Sequence, residues 1–260
     1  MNRTNKAWIS GILFAITLTI NTLGALGVIN GLTQKQVSDM YPTLITPSPF
    51  TFTIWSVIYS LLTISIIAMI VKKNDKYYQK AIDSISALFW ISCALNTAWI
   101  ISFSYVLIEL SALIIIGLVV VVALILQKLL EIQEEKRLLL PLSFGLYGGW
   151  LFIATVVNIA AALVKLKWDG FGIENSTWTV IILILAALLV IMVQFKNKNA
   201  VFSLPVAWAY FGIFLSLRSS GPFNSKYELL QIIALAGMVI LIVAAVIRFY
   251  KNRFCLLPCS

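Results

Sequence analysis

The sequence predicts an all-α fold, a polytopic transmembrane helical bundle of about eight transmembrane helices. Three observations predict it. Of 260 residues, 61% are hydrophobic and only 11% charged, with a mean hydropathy of +0.98. Soluble chains carry roughly 25% charged residues, and a water-facing surface of this size cannot be covered by so few. Eight apolar runs approach the ~20 residues that a helix needs to cross a bilayer. Fourteen of the nineteen Lys and Arg then fall, loop by loop, on one side of the resulting arrangement, as the positive-inside rule requires.

The runs can be taken in order. Ala7–Ile29 follows a basic hexapeptide and is too long for the ~7–15-residue core of a secretory signal, so it reads as a retained first helix. Phe50–Val71 is preceded by the one long connection, Asn30–Pro49, with Pro42, Pro47 and Pro49. A loop of that length is either a lid over a site or a tethered connector. Ser84–Tyr105 and Leu110–Leu130 are joined by a tight turn that holds Glu109 at the outer interface, and Leu138–Leu163 is the fifth run. Thr177–Phe195, Val201–Leu217 and Leu229–Tyr250 follow. The seventh is the shortest and contains Pro205, which together with Gly221-Pro222 is placed to break helices. No run alternates polar and apolar residues as a membrane barrel would.

Only Lys35, Lys165, Lys167, Arg218 and Lys226 lie on the minority side, which puts both termini in the cytoplasm and makes the number of spans even. Trp8, Tyr77, Tyr78, Trp168, Trp178 and Tyr250 fall at run ends, where interfacial anchors belong. Composition rich in Ile, Lys and Asn suggests a bacterial cell membrane. A net charge of +9 sets topology here; no basic stripe with interleaved aromatics suits nucleic acid.

The chain has no histidine, so the commonest metal ligand and general base are both missing. Neither a catalytic set nor a metal-ligand set is read from it. A Walker motif is also absent, so the chain does not itself drive transport with ATP. Cys93 reads as a packing residue, and Cys255 and Cys259 as part of a plain tail (251–260), with a terminal disulfide or palmitoylation as alternatives. Two matches to the cholesterol-contact pattern, ending at Lys80 and Arg253, are what a belt tyrosine followed by a basic residue produces.

What remains inside the apolar runs is asparagine and tryptophan. Counted from the outer helix ends at 1.5 Å per residue, Asn21, Trp55, Asn96, Trp99, Ala154 and Asn158 fall roughly 7–14 Å deep, and Trp150 roughly 20 Å. Asn96 and Trp99 are spaced i, i+3; Trp150, Ala154 and Asn158 are spaced i, i+4, i+8 and share one stripe. A small residue between Trp and Asn leaves room for a flat ligand with an amide to orient it. For any single asparagine, packing across helices is the plainer reading. The set together, beneath the long loop, reads as a pocket.

These residues resemble a known family. Pro47-Ser-Pro-Phe-Thr-Phe-Thr-Ile-Trp55-Ser-Val-Ile-Tyr59 resembles the second-helix motif of the TspO/MBR family, the tryptophan-rich sensory proteins related to the mitochondrial translocator protein. Leu95-Asn96-Thr-Ala-Trp99, with Phe103, resembles its third-helix motif, and Trp150, Ala154 and Asn158 fit its fifth. The resemblance covers residues 7–163 and leaves the last three spans unmatched. It also departs locally: the family's earlier Trp and the Pro before Trp55 are replaced by Pro49 and Thr53, with Phe52 out of register.

The resemblance implies a five-helix TspO-like core (1–163) followed by three additional helices (164–250). It also implies a membrane receptor, sensor or transporter for a flat hydrophobic ligand, porphyrin- or haem-like or sterol-like. No cofactor is required; homodimerisation is a family trait; the lipid bilayer and the ligand are the partners. A permease, or the membrane subunit of a larger transporter, is the alternative. Porphyrin breakdown, proposed for the family, is a third and lacks any catalytic residues here.

Overall fold

A computed structural model describes residues 1–134, 136–219 and 226–259. Gly221-Pro222 lies outside the described residues. Those residues form nine α-helices and no strand: α1 (Arg3–Ala25), α2 (Gln34–Asp39), α3 (Ile54–Val71), α4 (Lys76–Ser104), α5 (Ile108–Glu131), α6 (Leu139–Lys165), α7 (Asn175–Asn197), α8 (Leu204–Arg218) and α9 (Glu228–Lys251). Seven are long and apolar enough to cross a membrane, and α8, with 15 residues, is shorter. Their outward faces are apolar: Ile12, Ile16, Val57, Ile64, Leu113, Val120, Leu185 and Ile240 are all exposed. In a bilayer these side chains meet lipid, and the protein is an integral membrane protein.

Helices α1, α3, α6, α5 and α4 pack in that order into a closed ring, α4 returning to α1. Ile58, Leu62, Phe89, Phe144, Tyr147 and Trp150 fill its interior. Between α3 and α6 the hydroxyls of Ser65 and Ser143 bond to each other at 2.7 Å, satisfying two polar groups that have no water to turn to. Outside the ring, α8 packs on α6 and α9, and α7 on α9.

Both termini lie at one end of the bundle. Arg3 and Lys6 pair with Asp83 near the start of α4, and Arg137 pairs with Asp75 at the turn before it. Asn199, in the α7–α8 turn, donates to the Pro141 carbonyl at the start of α6 (2.8 Å). The chain end docks onto that same turn: Ala200 N donates to Leu256 O (2.8 Å), and Asn252 Nδ2 to Lys198 O and Leu256 O. Residues 251–257 are therefore a packed segment and not a loose tail, with Cys255 buried and bonded to Cys259.

Why α8 is short follows from its entry. Residues Asn199–Ser203 are fully buried in a turn whose backbone is served by side chains, Gln194 Nε2 on Asn199 O and Ala200 O and Asn199 Oδ1 on the Val201 amide. Pro205 then sits in the first turn of α8, where its missing N–H costs nothing; it starts this helix and does not break it. The close approach is permitted by Gly149 of α6, where a Cβ would stand 2.0 Å from the Phe202 carbonyl oxygen.

The anchoring residues divide. Trp8 and Tyr250 are exposed at helix ends, and Trp168 packs on Trp178, whose indole N–H donates to Gly170 O at 2.8 Å. Tyr77 and Tyr78 are instead buried, with the Arg137 guanidinium 4.9 Å from the Tyr77 ring centre. They close the α3–α4 turn and do not reach lipid.

Candidate functional site: a lidded aromatic cavity

At the opposite end of the ring from the termini lies a cavity of about 460 Å³, within the ~300–1,000 Å³ of small-molecule sites. Of the seven residues singled out in the sequence, Trp55, Trp99, Trp150, Ala154 and Asn158 line it; Asn21 and Asn96 do not. Trp55, the second residue of α3, is the centre of the aromatic wall. Its ring stacks on Tyr59 at 5.0 Å and 14°, and Trp99 and Trp150 lie 6.1 and 6.0 Å away, the latter edge-on. Ala154, one turn beyond Trp150, is the small residue that keeps the space between Trp150 and Asn158 open.

Asn158 serves the protein first. Its Oδ1 accepts the Trp99 indole N–H at 2.8 Å, and its Nδ2 donates to Ser111 Oγ at 3.0 Å. Its role is thus to fix the plane of Trp99, with one amide N–H to spare, rather than to present a free amide to a ligand. The Trp150 indole N–H, by contrast, is buried with no acceptor in the protein.

The two asparagines outside the cavity make a buried polar cluster beside it. Asn21 Nδ2 donates to Asn96 Oδ1 (2.7 Å), Tyr59 OH donates to Asn21 Oδ1 (2.8 Å), and Asn96 Nδ2 donates to Tyr147 OH (3.1 Å). They share the depth of the site but turn toward one another, so they tie α1, α3, α4 and α6 together. Asn96→Leu strands two of these partners, a cost of about 1–3 kcal/mol for an unmet buried group. We expect a lower thermal unfolding midpoint with ligand affinity unchanged, measured on the same preparation.

The long loop is the roof. Thr33 caps α2 and forms a capping box with Gln36. Val37 of α2 is fully buried against Ile108, Ala112, Ala161 and Ala162, which pins the roof to α5 and α6. Thr33, Gln34, Lys35, Ser38 and Asp39 face the cavity mouth, with Lys35 and Asp39 ion-paired along the helix. Outside the lining, Glu109 at the start of α5 pairs with Lys165 at the end of α6 at 2.6 Å.

Residues not expected from the sequence complete the walls. Pro49–Thr53 form a 3₁₀ turn, and its tighter winding carries Phe52 into the cavity, edge-on to Trp150 at 6.0 Å. The ring that looked out of register in the sequence is therefore a wall of the cavity. Helix α8 contributes Ser216, and Ser219 follows it. The same helix holds the roof's end: Ser48 N donates to Gly212 O (3.0 Å), and Trp208 Nε1 to Thr51 O (2.9 Å). The eighth helix is thus part of the site.

Chemically the cavity is an aromatic-walled, largely apolar space. Among the described residues its walls contain no His, Cys, Met or Tyr, the side chains that usually ligate haem iron. Among the described residues no three His, Cys, Asp or Glu cluster as a metal site would need.

Fold and cavity together define a polytopic helical membrane protein with a ligand-sized aromatic chamber under one loop. A family model described as TSPO-like protein matches residues 7–247, and the chain belongs to that family. The match runs through the last three helices, which resemblance to short motifs had left uncovered. No curated protein and no solved structure matches the chain.

Proposed function

We propose that this protein is a membrane receptor for a flat, largely apolar ligand held in the chamber beneath α2. The observation that carries the reading is the convergence of Phe52, Trp55, Trp99 and Trp150 on one space beside a small residue, Ala154. Aromatic walls at these separations favour planar partners through offset or edge contacts. The ligand's apolar body lies against the rings, and any polar edge faces the mouth, where Lys35, Ser38, Thr46, Ser216 and Ser219 supply donors. A porphyrin-like molecule has the right shape. In this reading the end with both termini is cytoplasmic, which the positive-inside asymmetry of the loops supports, and the chamber opens toward the outer side.

Because the described walls hold none of the usual iron ligands, haem and metal-free protoporphyrin are expected to bind within about threefold of each other, an axial bond being worth well over the 1.4 kcal/mol of a tenfold difference. Equilibrium titration of purified protein with both, and with a bulky non-planar apolar control, tests this. Tenfold preference for haem, or equal binding of the control, contradicts a stacking site.

A further inference from the structure

A second concavity, of 310 Å³, lies between α7 and α9 on the lipid-facing side, away from the chamber. Its walls are apolar, Ile191, Val239, Ile240, Val243, Ala244 and Ile247, apart from Gln194, whose amide is spent on Asn199 O and Ala200 O, and one end is lined by Phe195, Arg248 and Lys251. That end is the one shared with both chain termini, since Asn252 bonds to Lys198 there.

Two features separate this place from an ordinary lipid-facing surface. An apolar groove in a bilayer is filled by acyl chains, because neither water nor vacuum is a favourable occupant. Charge is the second feature. Lys196, Lys198, Arg248, Lys251 and Arg253 gather at the groove's end, yet the sequence has no Asp or Glu between Glu174 and Glu228 or after Glu228. Several basic residues elsewhere on the same end are matched within the protein, Arg3 and Lys6 by Asp83, Lys80 by Glu134, Lys128 by Glu131 and Arg137 by Asp75, while among the described residues Lys72 and Lys73 are not and lie away from the groove. Among the described residues Arg248 and Lys251 enter no ion pair. The Arg248 guanidinium instead stacks over Phe195 at 5.0 Å, which orients its planar fork and leaves its N–H edges for an anion.

We propose that the α7–α9 groove is a binding site for an anionic phospholipid, with one acyl chain along Val239, Val243 and Ala244 and the phosphate on Arg248 and Lys251. Basic pockets between membrane helices recognise anionic headgroups in this way. The site is independent of the chamber: it shares no lining residue with it.

The test uses full-length protein reconstituted in phosphatidylcholine vesicles with a minor fraction of phosphatidylglycerol, extracted in mild detergent, its retained lipid counted by native mass spectrometry. Retained lipid should be phosphatidylglycerol, enriched about twenty-five-fold over its share of the bilayer, since Arg248 and Lys251 near an anionic headgroup each contribute roughly five-fold. The double variant R248Q/K251Q should lose the enrichment. Ala244→Trp, which fills the groove and leaves the charge intact, should also lose it. K72Q/K73Q, which removes as many cations from the same end, should keep it. Equal retention of both lipids overturns the proposal, as does equal loss in the two double variants, which would mean diffuse surface charge. Unchanged retention in Ala244→Trp, or a lipid-free dimer seated through this groove, overturns it as well.

Discussion

Trp150→Ala is expected to weaken binding of a planar ligand about thirty-fold, the loss of roughly 2 kcal/mol that marks a buried aromatic anchor. The indole is almost wholly buried, with Phe52 and Trp55 both edge-on to it at 6.0 Å. Removing it deletes one wall and lets the other two rings tilt into the gap. The same truncation costs roughly 3–5 kcal/mol in a packed core, so affinity must be compared in folded protein. Trp150→Phe separates the two effects, keeping a ring at the wall while deleting the unpartnered N–H. Trp168→Ala, at the α6–α7 turn and outside the cavity, is the control and should leave affinity unchanged. Ligand affinity read from the porphyrin's own absorbance decides it; equal losses in Trp150→Ala and Trp168→Ala would refute the placement of the site.

Gly212→Ala is expected to unseat the roof. A Cβ at this position would stand 1.9 Å from Thr51 Oγ1 and 2.8 Å from its Cβ, well inside contact distance, so α8 and the Pro49–Thr53 turn must separate. The Ser48–Gly212 and Trp208–Thr51 hydrogen bonds sit within that contact, and Phe52 is carried on the same turn. Overpacking of this kind costs about 1–3 kcal/mol. We expect a lower unfolding midpoint together with a loss of ligand affinity, because the displaced turn takes a wall of the chamber with it. Thr51→Ala in the Gly212→Ala background removes the nearest atom and should restore part of both. A Gly212→Ala protein with unaltered affinity would show that α8 does not shape the site.

Much of this architecture is legible in the sequence because lipid imposes a simple rule. Backbone polar groups must be satisfied within helices, so apolar runs mark the spans, and α3, α5, α6 and α9 begin or end within a few residues of them. The shared face of Trp150, Ala154 and Asn158 follows from helical spacing alone, and the structure puts all three on the cavity. Periodicity does not say what faces a stripe. Asn21 and Asn96 have the right depth, yet their partners are each other, Tyr59 and Tyr147, contacts between residues up to 75 apart in sequence. Phe52 was hidden because a 3₁₀ turn precedes α3, and its tighter winding breaks the i, i+4 count. Nothing local announces that α8 holds the roof: Trp208 and Thr51 are 157 residues apart, and Gly212 carries no side chain to signal the contact. The buried tail was likewise illegible, since the Leu256 carbonyl is held by the Ala200 N–H and the Asn252 side-chain amide, and too few apolar residues, Leu256 and Leu257, are buried with it to make a periodic pattern.

Three of the eight tryptophans, Trp55, Trp99 and Trp150, line the chamber, and so the protein carries its own reporter. The direct measurement is quenching of intrinsic fluorescence in detergent-solubilised, folded protein titrated with protoporphyrin and with a bulky non-planar apolar control. Saturable quenching by protoporphyrin at micromolar concentration, weakened by Asn158→Leu through release of the Trp99 ring, is the result a stacking receptor gives. Linear quenching no greater than the control's would contradict it, and would mean that the aromatic chamber serves the packing of the bundle alone.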